Sequence, residues 1–122
     1  MRTPNSMTDG MTDGMTDGAV EKTKSDKLLA LLGLALRAGR LGLGYSAAEK
    51  MVHKGENPLV IVAADMGDSQ KAKVSHWEPI RGLVDGIVTA EDLARALGRE
   101  KLSVVAVSDS GFVKGIRKLQ AE

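Results

Sequence analysis

Leu59-Val60-Ile61-Val62-Ala63-Ala64 decides the fold. The run opens after Pro58, holds six consecutive apolar residues and carries three β-branched side chains without polar alternation. A strand wetted on one face alternates apolar with polar, so an unbroken run of this length predicts a strand buried on both faces. Ser103-Val104-Val105-Ala106-Val107 repeats the pattern and predicts a second. Gly86-Ile87-Val88 reads as a third, short strand. Strands covered on both faces need helices above and below them.

Helix signals fill the spaces between these runs. Ser25-Asp26 can cap a helix whose apolar positions, from Leu28 to Leu36, run to Gly39. Ser46-Ala47-Ala48-Glu49 has the form of a capping box, and Gly55 ends that helix. Asp68 can cap a third helix, reaching about His76 before Pro79. Thr89-Ala90-Glu91-Asp92 resembles another capping box, with Gly98 as the stop. Asp109 or Ser110 caps a last helix, from Gly111 to about Leu119. Helices alternating with buried strands predict a three-layer α/β domain over residues 25–122. Residues 1–24 are expected to be a disordered tail. Met-Thr-Asp-Gly occurs three times in tandem at 7–18, and so polar a repeat cannot bury enough surface to offset the entropy of ordering it.

Composition removes several classes of function. The chain of 122 residues has the length of one domain and a formal charge of +1, which excludes a polycation or an acidic tail protein. Three bases and four acids in 1–25 leave fourteen bases and twelve acids in 26–122, so the domain itself is faintly basic. With no Cys, disulfide scaffolds, zinc knuckles and thiol nucleophiles are excluded, and two His make a His-built metal site a poor expectation. Three aromatics, Tyr45, Trp77 and Phe112, argue against a single-strand binder built on stacked rings. The longest apolar stretch, Leu28 to Leu36, is far shorter than a membrane span, and the first residues lack a signal-peptide core. A soluble protein in the reducing cytoplasm is the expected setting.

No phosphate cradle or nucleophile elbow stands in its required context. Gly39-Arg40-Leu41-Gly42-Leu43-Gly44 is rich in glycine but follows a helix, not a strand. Asp65 and Asp109 each follow a buried strand, where α/β domains often place functional groups, yet Asp there is equally a turn or cap residue. The helix near Ser46 is more informative. Its first turn offers free N–H groups and a dipole that favours an anion such as phosphate. Lys50 lies one turn on and Lys54 a turn beyond, Gly44 permits close backbone approach, and Arg37 and Arg40 end the preceding helix. Contacts from these four bases to three or four phosphates would give a log–log salt slope of about −3 to −4. A solvated helix face is the plainer account of Lys50 and Lys54. For the second basic group, Lys114, Arg117 and Lys118, a helix C-terminus attracts cations whatever its partner.

Leu31-Leu32-Gly33-Leu34-Ala35-Leu36-Arg37-Ala38-Gly39-Arg40-Leu41 is similar to the opening of YlxQ-type bacterial proteins. These belong to the ribosomal protein family named after archaeal L-seven-Ae, with eukaryotic L-thirty-e as a relative. The resemblance continues through Gly44, Lys50, Lys54-Gly55, Leu59 to Asp65, Asp92 to Glu100 and Val104 to Phe112. It spans about residues 27–119 and implies an α/β/α sandwich around a mixed sheet of about four strands. It also implies kink-turn RNA binding at the start of the second helix, through an Asn-Glu-x-x-Lys-like stretch supported by an apolar loop. Carried over by position, the Asn falls on Ser46, the Glu on Ala47 and the Lys on Lys50, while the supporting loop falls near Val88 and Thr89. Ala47 has no group for a base edge, and Glu49 repels a nearby phosphate. Tyr45, just ahead of Ser46, can stack on a base or pack against the helix.

The RNA-binding residues expected on these grounds are Arg37, Arg40, Gly44, Tyr45, Ser46, Ala47, Lys50, Lys54, Val88 and Thr89. The expected function is non-enzymatic binding of structured RNA, ribosomal RNA included, with the ribosome or translation factors as its setting. The expected state is a monomer with no cofactor, no metal and no membrane. Two alternatives stay open: a protein-interaction module on the same fold with RNA affinity lost, and a small enzyme using Asp65 or Asp109.

Overall fold

The computed structural model describes residues 23–122. Residues 1–22, with the repeats read above as a tail, lie outside the described residues. Helix α1 (Lys24–Arg37) begins two residues ahead of the expected Asp26. Thr23 is its cap: the Asp26 N–H donates to Thr23 Oγ1 at 3.2 Å and the Thr23 N–H to Asp26 Oδ2 at 3.3 Å. Asp26 thus belongs to the cap, but as its third-position partner.

Strand β1 (Leu41–Leu43) follows almost at once and was not expected from the sequence. Its Gly-Leu alternation reads as a loop until its neighbours are known. A Cβ at Gly42 would lie 2.6 Å from Met51 Sδ, so the glycine leaves room over the strand for the Met51 side chain of helix α2 (Tyr45–His53), whose Ala47 Cβ would be at 3.6 Å, in ordinary contact. Strand β2 (Leu59–Val62) is the deciding run, two residues shorter than the apolar stretch, and all four of its residues are buried. Helix α3 (Asp68–Ser75) starts after Gly67, which makes Asp68 its first residue and not a side-chain cap.

The third strand lies earlier than expected, as β3 (Gly82–Val84), and Gly86-Ile87-Val88 is not a strand. Gly86 takes φ +84°, which turns the chain out of the sheet. Helix α4 (Ala90–Leu97) has the expected bounds, with the Asp92 N–H donating to Thr89 Oγ1 at 3.1 Å and Gly98 closing it at φ +74°. Strand β4 (Val104–Val107) is fully buried, and helix α5 (Ser110–Gln120) is capped by Asp109, whose Oδ1 accepts from the Gly111 and Phe112 N–H groups.

The sheet order is β1-β4-β2-β3, with β4 antiparallel to both neighbours and β2 parallel to β3. Helix α1 packs on α4 and α5, while α2 lies on β1 and β4. The core stripe of α1 is Leu28, Leu32 and Ala35, that of α4 is Leu93, Ala94 and Leu97, and that of α5 is Val113, Ile116 and Leu119. Each is one face of an amphipathic helix at helical spacing. The result is the expected α/β/α sandwich around a mixed four-stranded sheet. Two rows of residues cross the sheet and fix its ends: Leu41, Val107, Leu59 and Gly82 at one, and Leu43, Val105, Ile61 and Val84 towards the other. Among the described residues no helix is long and apolar enough to cross a membrane.

Candidate nucleic-acid interface

The start of α2 lies where β1 ends. Gly44 takes φ +92° and ψ 167°, a region essentially confined to glycine. Its N–H donates to the Val104 carbonyl at 2.9 Å, and its carbonyl accepts from the Ala48 N–H at 3.0 Å. One residue therefore closes the sheet and opens the helix, and the expected Ser46–Glu49 capping box does not form. Among the described residues no side chain caps α2, and Ser46 sits in its first turn, exposed. The first turn of α2 accordingly presents backbone N–H groups with no side-chain acceptor of their own.

Ala48 and Val52 are buried, and Ala47 with Met51 faces Gly42 of β1. Ser46, Lys50 and His53 are left on the solvent stripe, so Lys50 stands one turn from the helix start on the same face as Ser46. Ala47 is turned towards the sheet. Tyr45 meets Trp77 edge-on, with ring centroids 5.0 Å apart, so packing occupies at least part of its ring.

A chain of backbone hydrogen bonds fixes what surrounds this end of the sheet. Gly44 bonds Val104, the Ala63 N–H donates to the Ser103 carbonyl at 2.8 Å, and the Ala64 N–H donates to the Val88 carbonyl at 2.7 Å. Val88 and Thr89 therefore lie at the same end as Gly44, but about three inter-strand steps away, roughly 14 Å. Val88 is 1% exposed and belongs to the core, and Thr89 caps α4. The segment that stands beside Gly44 is the one leading into β4. Lys101, Leu102 and Ser103 share a cleft of about 180 Å³ with Gly44, Tyr45, Met66 and Gln70. Lys101 and Gln70 are exposed and were missed in the sequence. The β1–β4 pairing makes Lys101 a neighbour of Gly44, and α3 brings in Gln70; short-range sequence signals do not report strand order.

The four basic residues expected around α2 do not form one cluster. Arg40 precedes β1 and Arg37 ends α1, so both lie at the opposite end of the sheet from Gly44. Helix α2 runs back alongside β1, which puts Lys54, at its far end, towards the Arg40 end of the sheet, where Arg40, Met51, Glu56 and Ser108 line a cleft. Only Lys50 remains near the helix start.

Both aspartates weighed as catalytic groups are committed to helix starts. Asp65 Oδ1 accepts from the Ala90 N–H at 2.8 Å, and Asp109 caps α5. Loss of such a cap costs about 0.5–2 kcal/mol. Asp65→Ala should therefore lower the unfolding free energy by about 1 kcal/mol, read by urea denaturation, and an unchanged midpoint would remove this role.

The sequence profile of the Ribosomal protein L7Ae/L30e/S12e/Gadd45 family matches residues 26–116. The Dictyostelium discoideum large ribosomal subunit protein eL30 is 23% identical over 93 residues, which cover 74% of this chain and 83% of that protein. A solved structure of a protein with unknown function from Bacillus halodurans C is 33% identical with a TM-score of 0.68, over 79% of this chain and 98% of that one. The Giardia lamblia 15.5kD RNA binding protein shares the fold at 20% identity and a TM-score of 0.62, over 84% of this chain and 88% of that one. With the profile running from α1 into α5 over this sheet order, the chain belongs to the L7Ae/L30e/S12e/Gadd45 ribosomal protein family.

Proposed function

We propose that this chain binds structured RNA without catalysing a reaction, in association with the ribosome, as a cytoplasmic member of the YlxQ-type branch. The observation that carries this reading is the start of α2, capped by the glycine Gly44 and by no side chain among the described residues, beside two exposed lysines, Lys50 and Lys101, in a chain of this family. The N–H groups and the two ammonium groups suit a phosphate, and phosphate contacts position a protein on RNA without reading sequence. The names of the relatives support it, since eL30 is a ribosomal subunit protein and the Giardia protein an RNA binder. Within this proposal the contact residues are Gly44, Tyr45, Ser46 and Lys50, joined by Lys101 and Gln70. A kink-turn is the preferred RNA, recognised through its shape and backbone because Ser46 and Ala47 lack the family's reading groups.

The test is an NMR titration of the 15N-labelled chain with a short kink-turn RNA at low salt, beside a plain duplex. Shifts at Gly44 to Lys50 and at Lys101 to Val104 with the kink-turn alone are expected. Equal, diffuse shifts with both RNAs would remove the kink-turn preference. No shift with either would overturn RNA binding and favour the protein-interaction reading, to which the inward-facing Ala47 already lends support.

A further inference from the structure

The end of the sheet opposite Gly44 carries a charge pattern that the reading above leaves unused. Leu41, Val107, Leu59 and Gly82 form one row across the four strands. One residue outward from that row stand Arg40, Ser108, Pro58 and Arg81, so Arg40 and Arg81 bracket the sheet end about 14 Å apart. Arg81 is fixed twice, its N–H donating to the Pro58 carbonyl at 2.8 Å and its Nε to the Asn57 carbonyl at 2.9 Å. Arg117 of α5 reaches the same place, its Nη2 donating to the Arg81 carbonyl at 2.6 Å. Arg37 and Lys54, at the ends of α1 and α2, complete the set beside Arg40. All five side chains are exposed.

The carboxylates that contacts place here are both engaged. Glu56 accepts from the Ser108 hydroxyl at 3.3 Å, and Asp109 caps α5 while standing 3.9 Å from Arg40 Nε. The Gly44 end is different. Asp65 caps α4, Asp85 holds Lys71 at 3.1 Å, and Asp68, Glu91 and Asp92 occupy the first turns of α3 and α4. Lys50 and Lys101 share that end with these acids, whereas at the Arg40 end five cations face the two carboxylates that contacts place there. Helix dipoles account for part of this, because acids favour helix starts and bases helix ends. They do not account for Arg40 and Arg81, which lie on no helix.

We propose that Arg37, Arg40, Lys54, Arg81 and Arg117 form a second binding surface, for the phosphate backbone of an RNA duplex. It rests on the RNA-binding reading and adds to it a two-ended arrangement, in which one structured RNA or two adjacent RNA helices touch opposite ends of the sheet. Rows of cations fixed about 14 Å apart suit a duplex backbone, which carries closely spaced charges, and the guanidinium fork suits phosphate.

The test is a two-step NMR titration of the 15N-labelled chain. Kink-turn RNA is added to saturation, followed by a plain RNA duplex. Further shifts at Arg40, Gly55, Arg81 and Gly82 in the second step are expected. The triple variant Arg37→Gln, Arg40→Gln, Lys54→Gln should abolish them and flatten the log–log salt slope for duplex binding by about 2 to 3. Among the described residues these three hold no backbone group with their side chains, so the fold should survive, which an unchanged amide spectrum elsewhere would verify. First-step shifts at Gly44 to Lys50 with none at Arg40, Gly55, Arg81 or Gly82 in either step would overturn this surface and leave the first reading standing. Silence in both steps would overturn both.

Discussion

Ile61→Ala should remove about 2–5 kcal/mol of stability, the usual range for emptying a buried aliphatic site. Ile61 is 0% exposed and sits mid-strand on β2, between Val105 of β4 and Val84 of β3. Helices cover both faces of the sheet, so a cavity there has little freedom to collapse. For a domain of this size 1 kcal/mol corresponds to about 4–8 °C, and the melting temperature should fall by about 10 °C or more. Leu83→Ala, one strand over on the edge strand β3, is the control. Leu83 is 36% exposed, and its loss should cost under about 1 kcal/mol. Thermal and urea unfolding of the two variants side by side decide the matter. Equal losses would mean that the sheet is not buried on both faces as described.

The same contrast explains how far the fold is legible in the sequence. The runs at Leu59–Val62 and Val104–Val107 announce themselves because burial on both faces forbids polar residues at any position. The edge strands carry no such constraint. Strand β1 has Gly42 at its middle position, under the Met51 side chain of α2, and β3 leaves Leu83 in solvent, so neither shows an apolar run. Gly86-Ile87-Val88 mimics a strand because Val88 is buried, although it is held by its carbonyl and not by a ladder. Caps behave in the same way. Thr89 and Asp109 act locally and are readable, whereas the α2 cap is supplied by a glycine bonded to Val104, sixty residues away in the chain. The candidate site divides along this line. Ser46 and Lys50 share a helix face by spacing alone, which the sequence reports. That Lys101 joins them, and that Arg37 and Arg40 leave them, follows from strand direction and order, which a local pattern does not encode.

The double variant Lys50→Glu, Lys101→Glu should weaken binding of kink-turn RNA by about a hundredfold at low salt. A unit charge about 4 Å from a phosphate is worth about 1 kcal/mol in water, and reversing two lysines changes four charge units. Screening reduces the total to about 3 kcal/mol, where 1.4 kcal/mol is tenfold. The salt dependence should flatten by about 2 in log–log slope as two phosphate contacts are lost. Both side chains are exposed, so thermal stability should stay within a few degrees of the parent chain. The single variants separate the two contributions. Lys50 lies where the helix spacing puts it, and its reversal tests the start of α2 alone. Lys101 reaches the site only through the β1–β4 pairing, and its reversal tests whether the segment before β4 faces the RNA. A double variant that binds as the parent does, in an electrophoretic or fluorescence titration, would remove the α2 start as the contact. A loss confined to Lys50→Glu would keep that contact and place the segment from Lys101 to Ser103 outside it.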